Sequence, residues 1–492
     1  MLADKKLFAR WISLEHGFMP YTKFRFFTPS SNRALLPAAT SVWLNAMLVA
    51  LFMRGLSGAP PAHAAPPAPD PRFGAVEAHM LPDAAASLRP GWDRLRFDWG
   101  ARQPASAVDW EAQADVELYL QRAALDRREA VGLLIGTPAW ATDSVPGSGL
   151  PRNLYSAVDD PANVWANFVR RTVTQYAGTV NHWIVWNEPD IAAETSGAQF
   201  GGTVDDYYQL VKVAYTVAKA ANPQAVLHLA GLTYWHDVES RQKLYLQRYL
   251  EVARQDPAAR ANRFYFDVLS LHIYFRTESV PKIIGIHQSL LRNAGMAKPI
   301  WVNELNAPPM DDLQSPWPEP RVALTLQQQA DFIWQAVALS FSSGAERVSI
   351  YRLADILKPP AGHEPYGLFR VDGSPRPAAL AYQQAIRLLS GFTTVAQSRS
   401  AAVQVVVFNR PGSVTRVLWA RGGDAVTVRL RQTPGTQSAQ LFNALGEEQA
   451  LPAGRLYRLV LAPASREPHH QYAVGGTPLI LVEQLAPPRA AG

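Results

Sequence analysis

The sequence predicts an α/β protein, a (β/α)8 TIM barrel followed by a small C-terminal antiparallel β-sandwich. Two observations lead to this fold class. From about residue 72 to 391, short apolar runs with strand character alternate with longer helical runs. After about residue 392, strand-like runs follow one another with turns of Gly, Pro or Asn and no helical stretch between them. Alternation indicates a parallel sheet, whereas consecutive short strands are typical of a sandwich.

The barrel region contains eight predicted strands. They lie at 72–80, 93–100, 131–138, 182–188, 225–232, 266–275, 298–305 and 347–355. Helices are predicted between or after them, at 109–130, 163–178, 204–222, 241–256, 280–295, 323–342 and 375–391. The strands are nearly continuous apolar runs, which fits a sheet covered on both faces. A doubly wound open sheet is the alternative, but no Gly-rich phosphate loop follows the first strand, and eight units favour a closed barrel.

The C-terminal region contains six predicted strands. They lie at 403–410, 414–421, 425–430, 439–446, 456–463 and 478–485. Because a long segment, 464–477, precedes the last strand, we expect that strand to pair away from its sequence neighbours. The chain is therefore divided into four parts. These are a leader over 1–64, a Pro/Ala linker over 65–71, the barrel over 72–391 and an accessory sandwich over 392–492.

The leader is typical of an export signal. Basic residues precede an uncharged apolar run at 34–53, and Ala62-His63-Ala64 fits a small-x-small cleavage site. The apolar run is also just long enough to span a bilayer, so an uncleaved membrane anchor is the alternative. Positive charges before the segment keep that end inside the cell. Both alternatives place the body outside the cytoplasm, as a secreted, periplasmic or cell-surface protein.

Composition excludes several classes of function. The chain has no cysteine, so disulfides, thiolate metal sites and a cysteine nucleophile are excluded. Residues 1–64 hold seven basic and two acidic residues, which leaves 40 basic against 39 acidic residues in the remainder. This balance gives no indication of a nucleic-acid-binding surface. The sequence contains no HExxH motif, P-loop or nucleophile elbow, and we expect neither a metal nor a cofactor.

Two predicted barrel strands end in the same pair of residues, Asn187-Glu188 on strand four and Asn303-Glu304 on strand seven. The carboxyl ends of barrel strands form the catalytic face, and strands four and seven lie across the mouth from one another. Two facing carboxyl groups are what cleavage of a glycosidic bond requires. A single glutamate at a strand end would more often pair with an arginine at the rim, but the repeated arrangement favours catalysis.

The motifs around these strands resemble a known group of enzymes. The runs WNEPD (186–190) and VNE (302–304) are similar to those of the glycoside hydrolases of clan A. These are retaining (β/α)8 enzymes with the acid/base on strand four and the nucleophile on strand seven. The runs RLRFDWG (94–100), TPAWA (137–141) and FDVLSLHIYF (266–275) look most like family 39, the β-xylosidase and α-L-iduronidase group. The resemblance covers about 72–391.

The resemblance assigns roles to several residues. It implies that Glu188 is the general acid/base and Glu304 the nucleophile. Asn187 matches the residue that binds the sugar 2-hydroxyl, although strand alternation would point it away from Glu188, so an irregular strand end is needed. Arg96 matches an arginine on strand two that supports the nucleophile. A guanidinium there would keep Glu304 ionised.

Further positions are expected to line the substrate pocket. His272 and Tyr274 match a pair on strand six, where the tyrosine would donate its hydroxyl to the nucleophile. Trp140, at the end of strand three, is expected to be a stacking surface for a sugar or part of the core. On strand eight many clan members have a tryptophan platform, whereas this sequence offers Tyr351 and Arg352.

These observations predict a retaining glycoside hydrolase. It would cleave β-linked O-glycosidic bonds of an oligosaccharide or polysaccharide through a covalent glycosyl-enzyme. The alternative is a non-catalytic carbohydrate-binding protein, or an envelope or matrix assembly protein, on the same barrel. Binding alone does not need both carboxyl groups, so the intact pair argues for the enzyme.

Overall fold

The computed structural model of the chain describes residues 67–195, 198–315, 324–358, 362–451, 454–465 and 474–486. The predicted leader over 1–64 lies outside these residues, as do residues 65–66 of the predicted linker over 65–71. No helix in the described part of the chain combines the length and the apolar character needed to cross a bilayer.

Eight parallel strands form a closed barrel. They are β1 Phe73–Val76, β2 Trp92–Asp98, β3 Glu129–Ile135, β4 Val180–Val185, β5 Val226–Leu229, β6 Leu269–Tyr274, β7 Ile300–Asn306 and β8 Arg347–Ile350. Their order in the sheet is β5-β4-β3-β2-β1-β8-β7-β6. Parallel bridges from His228 to Val268 and from Leu232 to Leu271 join β5 to β6. The predicted (β/α)8 barrel is confirmed, with β4 and β7 three strands apart around the ring.

Helices surround the barrel, and a short hairpin follows β8. The helices are α1 Pro82–Leu88, α2 Trp99–Arg102, α3 Ala114–Leu125, α4 Val164–Gln175, α5 Val204–Ala221, α6 Trp235–Glu239, α7 Tyr245–Ala253, α8 Ser279–Asn293, α9 Leu326–Ser342 and α10 Pro377–Leu389. The hairpin pairs β9 Ile356–Lys358 with β10 Gly362–Glu364. The local sequence fixes the start of α5, since Thr203 and Asp206 form a reciprocal capping box. On its buried face, Tyr207 donates its hydroxyl to the carbonyl of Val185 at the end of β4 (3.0 Å).

The interior of the barrel below the mouth is filled with aromatic and imidazole side chains. The ring of Trp301 packs against Trp92, His182 and His228, which come from three other strands. His182 Nδ1 lies 2.8 Å from His228 Nε2, and burial lowers the pKa of His182 to about 4. These imidazoles are therefore neutral at physiological pH and form a packed floor.

The C-terminal region is an antiparallel sandwich of one large and one small sheet, as predicted. Its strands are β11 Thr394–Arg399, β12 Val403–Arg410, β13 Ser413–Ala420, β14 Val426–Arg431, β15 Thr436–Phe442, β16 Glu448–Gln449, β17 Leu456–Leu461 and β18 Leu479–Leu485. Six strands pair in the order β11-β12-β13-β18-β15-β16, and β14 pairs with β17. The last strand inserts between β13 and β15, which confirms its predicted pairing away from its sequence neighbours. The two sheets share a core that includes Leu418, Leu441 and Leu459.

Helix α9 joins the barrel to the sandwich and is buried on almost every side. Trp334 Nε1 donates to the carbonyl of Ala444 (2.7 Å), and Gln335 Nε2 donates to the carbonyl of Gly476 (3.0 Å). Asp331 accepts a hydrogen bond from the Thr477 hydroxyl (2.9 Å), and its burial raises its pKa to about 7. The predicted junction at 391 and 392 falls between the end of α10 and the start of β11.

Candidate active site

The strand that carries Glu188 ends irregularly. Regular pairing in β4 stops at Val185, and two of the next three residues have left-handed backbone, Trp186 with φ 71° and Glu188 with φ 42°. Such backbone costs about 1–2 kcal/mol per non-glycine residue and persists only where the surroundings enforce it. Trp186 is buried and donates its indole N–H to the carbonyl of Gln199 (2.6 Å). The irregular strand end that the role of Asn187 requires is therefore present.

Asn187 itself is buried beside Glu188. Its Oδ1 atom has no hydrogen-bond partner among the described residues. An unpaired buried amide oxygen is costly, and a hydroxyl group from a ligand would satisfy it. The contact to a sugar hydroxyl stays a prediction.

The strand that carries Glu304 contains a bulge. Leu271 of β6 pairs with Val302, but the next residue, His272, pairs with Glu304, so Asn303 is an extra residue in β7. Trp301 already points into the barrel, and simple alternation would turn Glu304 outward. The bulge turns its carboxylate back toward the interior. Bulges near active sites commonly re-aim a side chain in this way.

Arg94 and Tyr274 hold the Glu304 carboxylate. Arg94 Nη1 lies 2.5 Å from Oε1, and both side chains are only 6% exposed. Tyr274 donates its hydroxyl to Oε2, which is the contact predicted for it. Burial and the charge of Glu304 raise the pKa of Tyr274 well above its ordinary value. Burial alone would lower the pKa of Arg94, but the charge of Glu304 and the hydrogen bond to it raise the pKa.

The prediction for Arg96 is wrong. Its side chain is 42% exposed and lies 3.3 Å from Asp98 at the rim, while Arg94 pairs with Glu304. The two arginines are two residues apart on β2, so they share the inward face. They differ in height along the barrel axis, because Arg96 lies one pleat nearer to the mouth. Arg94 was missed, although the same alternation could have suggested it.

His272 bridges the two glutamates. Its Nδ1 atom lies 2.7 Å from Glu188 Oε1 and 3.4 Å from Glu304 Oε2. A proton on Nδ1 serves both contacts, whereas Nε2 is buried without a hydrogen-bond partner in the described residues. Nε2 packs against Gly231 at the end of β5, where an added Cβ would lie 1.9 Å away. His272 thus does more than line the pocket, and Gly231 is a supporting position that the sequence did not reveal.

Glutamate side chains bind Tyr351 and Arg352, the two residues predicted on strand eight. Tyr351 donates its hydroxyl to Glu364 Oε2 (3.0 Å), and its ring lies 6.2 Å from that of Tyr274. Arg352 is buried and pairs with Glu77 at the end of β1, with Glu364 a further 3.6 Å contact. Tyr351 therefore lies next to Tyr274, which binds Glu304, whereas the charge of Arg352 is paired within the protein. Their roles toward a substrate stay predictions.

Trp140 lies in a short turn after β3 and is half-buried. It donates its indole N–H to the carbonyl of Gln103 (2.6 Å), and its ring meets Trp99 edge-on at 5.9 Å. These contacts fix the ring against the core on one side. A stacking role for its other side stays a prediction.

The arrangement favours acid–base chemistry. Glu188, His272 and Glu304 could in principle hold a metal ion, since one ligand atom from each lies within 4.8 Å of the others. However, the Arg94 guanidinium already neutralises Glu304, and a second cation there would be repelled. The Glu304 carboxyl group is thus paired with a guanidinium. The Glu188 carboxyl group lies on the other side of His272 Nδ1.

Comparison with solved structures shows the same fold in glycoside hydrolases. A family 39 enzyme from Bacteroides cellulosilyticus WH2 superposes with a TM-score of 0.63 at 16% identity, over 85% of this chain and 81% of that chain. A family 39 enzyme from Xanthomonas axonopodis pv. citri gives 0.56 at 13% identity, over 85% and 96%. A family 30 endoxylanase from Clostridium papyrosolvens C71 gives 0.56 at 12% identity, over 85% and 97%.

Comparison of the sequence with protein-family models and with curated proteins gives no match. At these identities the structural likeness establishes the shared fold. The resemblance to clan A that the motifs predict is confirmed at that level, with family 39 among the similar structures.

Proposed function

We propose that the protein is a retaining glycoside hydrolase that cleaves β-linked O-glycosidic bonds of an oligosaccharide or polysaccharide. One observation carries the proposal. Glutamates from β4 and β7 meet at the barrel mouth, and the nearest oxygens of their carboxyl groups lie within 4.8 Å of one another and of His272 Nδ1. Retaining enzymes hold their carboxyl groups about 5–5.5 Å apart, whereas inverting enzymes leave about 6.5–9.5 Å for a water molecule. The short separation supports retention.

In the first step, the Glu304 carboxylate attacks the anomeric carbon and forms a carbon–oxygen bond to it. The glycosidic bond breaks, and its oxygen takes the proton of Glu188 and departs as an alcohol. In the second step, Glu188 removes a proton from water. The water oxygen bonds to the anomeric carbon, the bond to Glu304 breaks, and both glutamates return to their starting states.

The surrounding residues suit these two roles. Arg94 and Tyr274 each bind one oxygen of the Glu304 carboxyl group and fix the direction of both. His272 lies against Glu188 and can stabilise its carboxylate after the proton has left. Because the network is buried, these interactions are stronger than they would be in water.

The experiment is a screen of aryl β-glycosides and polysaccharides with the wild type and the Glu188→Gln variant. We expect hydrolysis of at least one substrate by the wild type. In the variant, substrates with poor leaving groups should suffer most, because they depend on the acid. Equal activity of both proteins toward such substrates would overturn the role of Glu188.

A second variant tests Glu304. Glu304→Gly should not hydrolyse the substrate, but it should transfer a glycosyl group from a glycosyl fluoride of the opposite anomeric configuration. The fluoride occupies the space of the missing carboxylate and supplies the leaving group, so the nucleophile is no longer needed. Normal hydrolysis by Glu304→Gly would remove Glu304 from this role.

We also propose that the barrel works outside the cytoplasm. The support is the basic stretch before the uncharged run at 34–53. An alkaline phosphatase fused after residue 71 should be active in a bacterial host. If this fusion is inactive while a cytoplasmic reporter fused at the same point is active, the proposal is contradicted.

A further inference from the structure

The accessory sandwich differs in charge from the barrel. Residues 392–492 contain ten arginines, no lysine and five acidic residues, a balance of +5. Residues 65–391 contain 30 basic and 34 acidic residues, a balance of −4. The near-neutral balance of residues 65–492 is therefore the sum of two unlike regions. An asymmetry of this kind indicates that the basic region meets a partner of opposite charge.

Three of these arginines lie on the outer face of the small sheet. The two strands of this sheet, β14 and β17, turn Val428 and Leu459 inward, and both pack in the core that the sandwich sheets share. Because side chains alternate along a strand, the residues between the inward ones point outward, and five of these six are exposed. The outward residues are Thr427, Arg429, Arg431, Leu456, Arg458 and Val460.

Two of the arginines are directly opposed. Arg429 pairs with Arg458 in the ladder, and Arg431 lies two residues further along β14. Opposite residues of an antiparallel pair have Cβ atoms about 4.5–5.5 Å apart, and like charges in this position destabilise the sheet. Within the described residues, no acidic side chain forms an ion pair with any of the three arginines.

Other arginines of the sandwich are neutralised. Arg416 pairs with Glu483 (2.6 Å), and Arg399 and Arg421 pair with Glu278 of the barrel (2.6 and 2.8 Å). The three outward arginines of the small sheet therefore form a separate cationic face. An anion bound there would offset the repulsion between the opposed guanidinium groups.

The face suits an extended anionic polymer better than a membrane. Leu456 and Val460 lie beside the arginines and are 49% and 61% exposed. The outward residues include neither tryptophan nor tyrosine, which anchor proteins at a membrane surface and stack on the bases of single-stranded nucleic acid. A guanidinium binds a carboxylate through two parallel hydrogen bonds. Arg429 and Arg431, about 7 Å apart along the strand, can each bind a different carboxylate of one extended chain.

We propose that the outer face of β14 and β17 binds an acidic polysaccharide, whose carboxylates pair with Arg429, Arg431 and Arg458. This site lies in the sandwich and takes no part in the chemical steps at the barrel mouth. The choice of a polysaccharide among anionic polymers rests on the proposed function. A hydrolase held on such a chain would meet the glycosidic bonds around it at a raised effective concentration.

The test is the binding of the whole chain to immobilised polygalacturonate, with immobilised dextran as the neutral reference. We expect the wild type to bind polygalacturonate and not dextran, and to bind less tightly as salt is raised, because salt screens exposed charges. The double variant Arg429→Gln/Arg458→Gln should bind at least about tenfold more weakly, since it loses two charge-assisted contacts. Each single variant should lose part of this affinity, and circular dichroism verifies that each variant is folded.

Arg254→Gln/Arg260→Gln is the matched control. It removes the same charge from two exposed arginines of the barrel, beyond the end of α7. Its affinity for polygalacturonate should stay within about twofold of wild type, because a distant exposed charge is screened. Equal losses in both double variants would show a general attraction between unlike charges and would overturn the inference.

Three results with the wild type would also overturn it. These are no binding to polygalacturonate, equal binding to dextran, and tighter binding to vesicles of anionic phospholipid or to duplex DNA than to polygalacturonate. The binding assay does not depend on catalysis, so the two proposals fail separately. A wild type that binds as expected but hydrolyses no glycoside would overturn the proposed function and support the binding face.

Discussion

Replacing Arg94 with methionine should weaken the nucleophile selectively. Arg94 Nη1 lies 2.5 Å from Glu304 Oε1, and both side chains are almost fully buried. With charge centres about 4 Å apart and an effective dielectric constant of about 20, the attraction is about 4 kcal/mol. Water that enters the vacated space replaces part of this attraction. We therefore expect the loss of the guanidinium to destabilise the Glu304 carboxylate by about 2–4 kcal/mol. The corresponding loss in kcat/KM is roughly 30-fold to 1,000-fold.

The assay is kcat/KM for an aryl glycoside between about pH 4 and 9, with circular dichroism to confirm folding.

Arg96→Met is the matched control for this prediction. Its side chain is exposed, and its ion pair with Asp98 is a surface pair, which typically contributes less than about 1 kcal/mol. We expect its kcat/KM to stay within about threefold of wild type. An equal or greater loss in Arg96→Met, or wild-type activity of Arg94→Met at every pH, would refute the reasoning.

Two further variants test packing around the site and the junction between barrel and sandwich. In Gly231→Ala the new Cβ would lie 1.9 Å from His272 Nε2, so the imidazole must move and kcat/KM should fall at least about tenfold. Gly285→Ala, whose Cβ meets nothing within 4 Å, should keep wild-type activity, and equal losses in both would contradict this. Burial raises the pKa of Asp331 to about 7, so its stabilisation is full below about pH 4 and is lost as pH rises through 7. In Asp331→Asn the unfolding free energy, measured by urea denaturation, should therefore decrease less between those two pH values than in the wild type. An equal decrease in both proteins would refute this role of Asp331.

The architecture could be predicted from the sequence because the order of strands and helices and the apolar pattern within each of them indicate the same fold. The eight barrel strands and the helices between them are separate periodic runs, and all eight strands lie within or close to the predicted ranges. The edge strands β11 and β16 were not predicted. The residues of β11 are mostly exposed and polar, and β16 has two residues, so neither carries an apolar pattern that a sequence can show.

The site was predictable in its residues and less so in its geometry. The places of Glu188 and Glu304 at strand ends, and the contact of Tyr274 with Glu304, could be predicted because strand ends and motifs are local features. The choice between Arg94 and Arg96 depends on the height of β2 relative to β7, which only the closed barrel fixes. The bulge in β7 and the left-handed residues after β4 are likewise set by tertiary packing, since neither segment contains the glycine that commonly marks such backbone.

The most direct test of the central claim is covalent trapping of the nucleophile. The wild type is incubated with an aryl 2-deoxy-2-fluoro-β-glycoside of the sugar that it hydrolyses, and the adduct is located by mass spectrometry of peptides. The fluorine slows both steps, and the good leaving group restores the rate of the first step only, so the glycosyl-enzyme accumulates. We predict one adduct per chain, on Glu304. An adduct on Glu188, or hydrolysis of the parent glycoside with inversion and no adduct, would contradict the account.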